Sequence, residues 1–388
     1  MQPHPSITRI TLVGFASLAI AMGIGRFAFT PLLPLMQDDG LASIADGGVL
    51  AAVHFLGYWL GAVFAARSRF APKTTLRLSL VIIGFGTLGM GVTENFVLWL
   101  VFRWLCGVGS AFTLVLVGTY YIKHLAEIGR AEAQGWVFSG VGAGIAVAGL
   151  GALAIMVGGA GSALGWQVFG IVSLIAVVAL CTQMGGEIPH ARPAAQSPKS
   201  PRSPLVWRVV IAYGAAGLGY IIPATYLPVM AREIVQSPII FGWSWPIFGL
   251  AALVSTPLAA RLQRRFSNRR IWAASQVVMA VGLLLPVVHS HIMTIMVAGV
   301  CVGGTFMIIT MTGMKEVHRI APPGDVMRHI AVMTASFATG QMIGPVFASS
   351  VYDLTQSFAV SLIITSATLI ITAMMLVGGS SRKEVVQP

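Results

Sequence analysis

The sequence predicts an all-α integral membrane fold, with twelve transmembrane helices set out as two pseudo-symmetric six-helix bundles. Three observations carry this. The 388 residues are 56% hydrophobic and only 9% charged, where a soluble domain has about 25% charged. Apolar runs of about 18 residues or more recur along the chain, long enough to cross a bilayer as helices, and they lack the alternation of spanning strands. Finally, "GIGRFAFTPLLPLM" (23–36) returns as "GLGYIIPATYLPVM" (217–230), 194 residues later. An internal repeat of that size argues for duplicated halves.

Taken in order, helices are expected near 8–35, 46–66, 76–93, 96–122, 133–157 and 164–184, then 206–231, 240–260, 271–290, 292–314, 330–352 and 357–379. The first run, preceded by Arg9, reads as a retained helix and not a cleaved leader, because it has a partner copy in the second half. Between the sixth and seventh helices lies "GGEIPHARPAAQSPKSPRSP", whose Pro, Ser and basic residues cannot bury a core. The expected division is therefore residues 1–184 as the N-terminal six-helix bundle, 185–205 as a cytoplasmic linker, and 206–388 as the C-terminal bundle with a short cytoplasmic tail.

The net charge of +12 is a topology signal. Of the 24 Lys and Arg, 21 follow even-numbered helices, lie in or beside the linker, or sit at the termini. The opposite side holds Arg232 with Asp38, Asp39, Asp46, Glu94, Glu233 and Asp353. The positive-inside rule then places both termini in the cytoplasm, as expected for a multi-pass protein of a bacterial inner membrane. Cys106, Cys181 and Cys301 all fall in apolar runs and are expected as free buried thiols. None of the five lysines is preceded by glycine, so no phosphate-binding G-x-x-x-x-G-K-[ST] loop exists to power the chain with ATP. With no H-E-x-x-H and no intramembrane Asp pair, an enzyme is not expected, nor a metal or cofactor.

The repeat keeps backbone devices. Gly23, Gly25, Leu33, Pro34 and Met36 recur as Gly217, Gly219, Leu227, Pro228 and Met230. Gly140 and Gly144 recur as Gly340 and Gly344, spacings that let helices approach closely. Pro31, Pro34, Pro223 and Pro228 are expected to break or kink one end of helices 1 and 7, as a gating bend or a static one. Trp243 and Trp245 are expected in the interfacial aromatic belt.

These residues resemble the major facilitator superfamily over essentially the whole chain. Helix 4 reads "RWLCGVGSAF", with Arg103, Gly107, Gly109 and Ala111 in the superfamily's pattern. Helix 11 reads "GQMIGP", with Gly340, Gly344 and Pro345 like a Gly-Pro motif more often found in helix 5, where this chain has Ile145. The loop after helix 2 opens with Ala65 and Ala66 where the family has an Asp, so its charge lock is expected to be missing. The stretch "GIGRFAFTPLLP" resembles more narrowly the YbfB/YjiJ group. The resemblance implies a secondary active transporter working by alternating access, with helices 1, 4, 7 and 10 around a central cavity.

Two arginines lie within helices, Arg26 and Arg103, with His54 at similar depth. A charge at the bilayer centre costs at least about 2.5–3.5 kcal/mol, so intramembrane arginines mark a function or a protein partner. With no acidic residue in the expected spans except near helix ends, a cavity holding them would be electropositive and suited to carboxylate or phosphate oxygens. The expected solute is thus a small organic anion, contacted by Arg26, Arg103, Tyr220 and Tyr226. The bland alternatives are an Arg103 bonded to backbone carbonyls, a snorkelling Arg26, and a His54 satisfied by packing. Proton-coupling candidates are His54, Asp46 and Glu94, with gating or packing assigned to Gly107 and the glycines and prolines above. The rival functions are a multidrug efflux antiporter with an apolar, aromatic cavity and a membrane sensor without transport. Partners are the solute, the bilayer and, as a candidate, protons; no nucleic acid is expected, and a monomer is.

Overall fold

The computed structural model describes residues 6–65, 71–130, 132–184, 205–322 and 325–378. Nearly all of the expected linker, together with Arg67, Arg69, Arg382 and Lys383, lies outside the described residues. Among the described residues the chain is all-helical, with twelve long helices, which bears out the expected fold class. They are α1 (Ile7–Asp38), α2 (Ile44–Ala65), α3 (Pro72–Gly89), α4 (Phe96–Glu127), α5 (Ala133–Val157) and α6 (Ser162–Gln183), then α7 (Trp207–Ile234), α8 (Pro238–Leu262), α9 (Asn268–Val288), α10 (Ile292–Ile320), α11 (Val326–Thr355) and α12 (Ala359–Val377). Eleven are long and apolar enough to cross a membrane; α3 falls short because its opening turns carry Lys73 and Arg77.

Three boundaries differ from expectation for physical reasons. The third helix begins and ends four residues early, because Pro72 stands in its first turn, where the missing N–H is harmless. Arg77 is thereby helical, and its guanidinium donates to the Cys181 carbonyl at 2.9 Å, while Arg9 donates to Gln183 O at 2.7 Å. Both satisfy carbonyls at the negative C-terminus of α6. On the same side α10 runs six residues past its expected end, since charged residues end a hydropathy run without ending a helix. That extension holds Glu316, which is 1% exposed and bonded to Arg269 (2.5 Å) and Arg319 (2.9 Å). The second half therefore has a buried charge lock, on an acid that the expected span left out.

The helices pack in repeat-matched pairs. In the first half α2 lies on α4, α1 on α5, α3 on α4, and α3 on α6; in the second, α8 lies on α10, α7 on α11, α9 on α10, and α9 on α12. The halves meet through α5 with α8, α2 with α11, and α1 with α7. Of the three free cysteines only Cys106 is buried; Cys181 and Cys301 are half-buried, a correction to the expected burial. Trp245 is also misplaced by the expectation: it is fully buried against Phe27 and Phe248, and only Trp243 is exposed.

The glycines divide by which surface they serve. A Cβ on Gly140 would stand 2.1 Å from Phe15 O, and one on Gly144 2.3 Å from Ala19 O, so this pair seats α5 on α1. Gly217 and Gly340 do the same between α11 and α7. Both contacts lie inside their own halves and are not surfaces on which the halves slide. The close approach between halves uses other glycines. A Cβ on Gly142 would stand 2.2 Å from Leu253 N, one on Gly149 2.7 Å from Pro246 N, and one on Gly249 2.3 Å from Ala146 N. Gly135, Gly142 and Gly149 repeat every seven residues and form one stripe of α5 facing α8.

Candidate substrate-binding site

The site begins with a break in α1. Its helical first part ends at Leu18, a π-helical turn covers Ala19–Ile24, residues 25–28 form turns, and α-helix resumes at Phe29–Asp38. The cause is local: Pro31 cannot donate to Phe27 O, which receives the Thr30 N–H at 3.3 Å instead. A broken backbone in a membrane needs donors from neighbours. Two residues of α4, seven apart and therefore on one face, supply them. Ser110 Oγ donates to Ala21 O at 2.9 Å, and the Arg103 guanidinium reaches Gly25 O at 3.5 Å and Leu50 O of α2 at 3.4 Å, over the Phe29 ring. Gly107 lies between them because a Cβ there would stand 2.0 Å from His54 O. By contrast α7 runs unbroken through Pro223 and Pro228, so the expected symmetric bend is present in one half only.

Arg26 sits in the break. It is 4% exposed and has aromatic rings on several sides, with Phe55 at 4.6 Å, Phe27 at 4.9 Å and Tyr58 at 5.1 Å. These faces attract the cation in a region with little water. One Nη donates to the Tyr220 hydroxyl of α7 at 2.5 Å, and Nε has no hydrogen-bond partner. Gln341 of α11 bonds the same Tyr220 oxygen through Nε2, leaving its own Oε1 unpartnered. Tyr220 is itself stacked between Phe306 (5.1 Å, 11°) and Phe337 (5.5 Å, 15°). A cavity of about 10 Å³, space for one water, touches Arg26, Thr30, Phe55, Arg103 and Thr225.

Above this level the halves are shut on the side away from the chain termini. Thr30 Oγ1 donates to Ala224 O, and Arg232 pairs with Asp38 at 2.5 Å while also donating to Pro34 O at 2.8 Å. The pairs 26–220, 30–224 and 38–232 are each separated by 194 residues, the repeat offset. Equivalent residues of two related halves can touch only at the pseudo-twofold axis, so the outer parts of α1 and α7 meet along it for about 18 Å.

Of the expected contacts, Arg26 and Tyr220 are brought together. Arg103 lines the same small cavity with its guanidinium turned to backbone carbonyls. Tyr226 stands apart from this cluster, its hydroxyl donating to Pro345 O at 3.0 Å between α7 and α11, beside Gly48. His54 is fully buried beside Phe55, and neither ring nitrogen makes a well-formed hydrogen bond. Asp46 caps the start of α2 by accepting from Ser43, and Glu94 is exposed in the α3–α4 turn, so neither carboxylate joins the arginines. Gln341 and Thr30 were missed. A lone amide between Gly340 and Gly344 in an apolar run was the available signal for the first; nothing distinguished Thr30.

The comparisons agree with this architecture. A crystal structure of the nucleoside transporter NupG superposes with a TM-score of 0.73 over 96% of this chain and 99% of that one, at 13% identity, a likeness of fold. The MFS-type transporter YceJ of Bacillus subtilis is 30% identical over 196 residues, 47% of this chain and 48% of that protein. The niacin transporter NiaP of Acinetobacter baylyi is 28% identical over 124 residues, 30% of this chain and 28% of its own. The matched stretches thus span about half or less of those curated relatives. The family described as "Uncharacterised MFS-type transporter YbfB" matches residues 18–377. This chain, a multi-pass membrane protein of the major facilitator fold, belongs to that family.

Proposed function

We propose that this protein is a secondary active transporter that moves a small organic anion across the cytoplasmic membrane by alternating access between its two six-helix halves (1–184 and 206–388, joined by a 185–205 linker). The observation that carries the anion is Arg26: a buried guanidinium whose neighbours are aromatic rings, a phenol and an amide, and no carboxylate. A cation so placed is matched when the solute brings the opposite charge. The named solute of one relative, niacin, is a small carboxylic acid, which fits this class. With the termini in the cytoplasm, as the basic residues indicate, the shut side faces outward and the protein is drawn closed to the outside. The protein works as a monomer. Protons drive it, with His54 as the carrier: it is a titratable group buried inside α2 with both ring nitrogens free of strong hydrogen bonds, while Asp46 and Glu94 are at the rim.

The test is uptake of radiolabelled niacin and benzoate into proteoliposomes. Uptake is expected with the native chain and is expected to be lost with Arg26→Gln. Equal uptake by the two would refute the anion reading. A His54→Ala protein that keeps the full pH dependence of transport would remove His54 as the carrier.

A further inference from the structure

Resting on that reading, we infer that the Tyr220 hydroxyl is an internal stand-in for the solute's carboxylate oxygen, and that Gln341 is the second half's contribution to the anion site. Two donors, Arg26 Nη2 from α1 and Gln341 Nε2 from α11, converge on the one phenol oxygen. They come from opposite halves, and both side chains are at least 96% buried. A point between two convergent buried donors is what a carboxylate oxygen requires, and a neutral hydroxyl fills it less well. The neighbouring atoms point the same way. Arg26 Nε is unpartnered, leaving a second N–H for the other oxygen of a bidentate carboxylate. Such buried unsatisfied atoms are rare without a ligand or water to meet them. The adjoining cavity of about 10 Å³ has no room for a solute, so an entering carboxylate displaces the phenol.

Arg103 does not supply a second anion contact, because its guanidinium is engaged by the Gly25 and Leu50 carbonyls and the Phe29 ring. The site therefore takes one carboxylate. Displacing Tyr220 also frees Arg26 from α7, so the same event that seats the solute removes one bond holding the halves together. Tyr220 then acts against binding, as a competitor and latch, and is not a solute contact.

This reverses the sign of a simple experiment. Tyr220→Phe keeps the ring stacked between Phe306 and Phe337 and deletes only the competing oxygen. The probes are benzoate, uncharged benzamide, and phthalate with two carboxylates, titrated by calorimetry against the detergent-purified full chain. Tyr220→Phe is expected to bind benzoate about fivefold or more tighter than the native protein. Gln341→Glu, which puts a carboxylate in place of the donor, is expected to lose benzoate binding at least tenfold. Benzamide is expected not to bind, and phthalate to bind more weakly than benzoate. Binding of benzoate that depends on Arg26 but is weakened or unchanged by Tyr220→Phe overturns this inference and leaves the anion reading standing. So does undiminished binding by Gln341→Glu, which also decides the matter should Tyr220→Phe not fold. If neither the native protein nor Tyr220→Phe binds benzoate in an Arg26-dependent way, the anion reading falls, and this inference with it.

Discussion

The outer parts of α1 and α7 are copies of one element that fold differently. Both keep their glycines and their Leu-Pro-x-Met ending. Yet α1 breaks over residues 25–28, while α7 is one helix from Trp207 to Ile234. The difference follows from Pro31, which has no N–H to give, where its counterpart in α7 is Thr225, which has one. In α1 the break exposes carbonyls, and Arg103 and Ser110 of α4 meet them. At the corresponding positions of α10, 192 residues later, stand Ile295 and Val302, which donate nothing, and α7 needs nothing from them. The comparison separates two arginines that looked alike in sequence. Arg103 is bonded to backbone carbonyls at the break, whereas Arg26 is held by aromatic faces and the Tyr220 phenol.

The strongest way to break this distinction is to exchange the roles. Arg26→Gln is expected to lower transport of the identified solute by about 100-fold or more, the worth of a buried charge-assisted pair, while the melting temperature moves little. Arg103→Met is expected to act the other way round. It leaves the buried Gly25 carbonyl of the break without its donor, at about 1–3 kcal/mol, so thermal unfolding followed by tryptophan fluorescence should show a clear drop before any effect on affinity. A stable Arg103→Met protein that fails to bind solute would assign both arginines to the site.

The α5 glycines offer a second contrast, of intermediate size. Gly140→Ala presses a methyl into Phe15 O within one half and is expected to cost about 1–3 kcal/mol of stability. Gly142→Ala presses on Leu253 N across the interface between halves. It is expected to slow transport severalfold at nearly unchanged stability, because the halves can separate slightly without unfolding. Equal stability losses for the two would erase the distinction between seating and sliding glycines. The smallest effect is expected at the rim. Asp38 is 60% exposed and Arg232 21%, so their pair contributes about 0–1 kcal/mol. Arg232→Ala should leave the melting temperature almost unmoved. It should raise the labelling rate of a Thr30→Cys variant by an externally added thiol reagent by a few fold, and high salt should imitate it in the native chain.

The helices were legible because a bilayer imposes length and polarity on every span, and the repeat was legible because backbone devices survive duplication. What escaped lay where those signals are silent. Hydropathy ends at Met314, but the α10 helix continues into Glu316 and Ile320, so the buried acid of the second half's charge lock was passed over. Gly140 and Gly144 were found by their four-residue spacing, whereas the seven-residue stripe of Gly135, Gly142 and Gly149 that bears on α8 was not. Residue type placed Arg26 and Arg103 together, but only geometry shows that one faces carbonyls and the other a phenol. Tyr226 and Gln341 exchanged importance for the same reason: orientation on a helix face cannot be read from depth alone.

The three contacts at positions 26, 30 and 38 with their counterparts 194 residues on carry a consequence for ancestry. On a true twofold axis every residue meets its own copy. Two separate, identical six-helix chains docked this way would set arginine against arginine at the first position and aspartate against aspartate at the third, one buried repulsion and one at the rim. Joined in one chain, the copies are free to differ, and here the first pair is Arg26 with Tyr220 and the third Asp38 with Arg232. The closed seam is thus something an identical pair of subunits could not make, and covalent fusion is what lets this axis carry opposite charges.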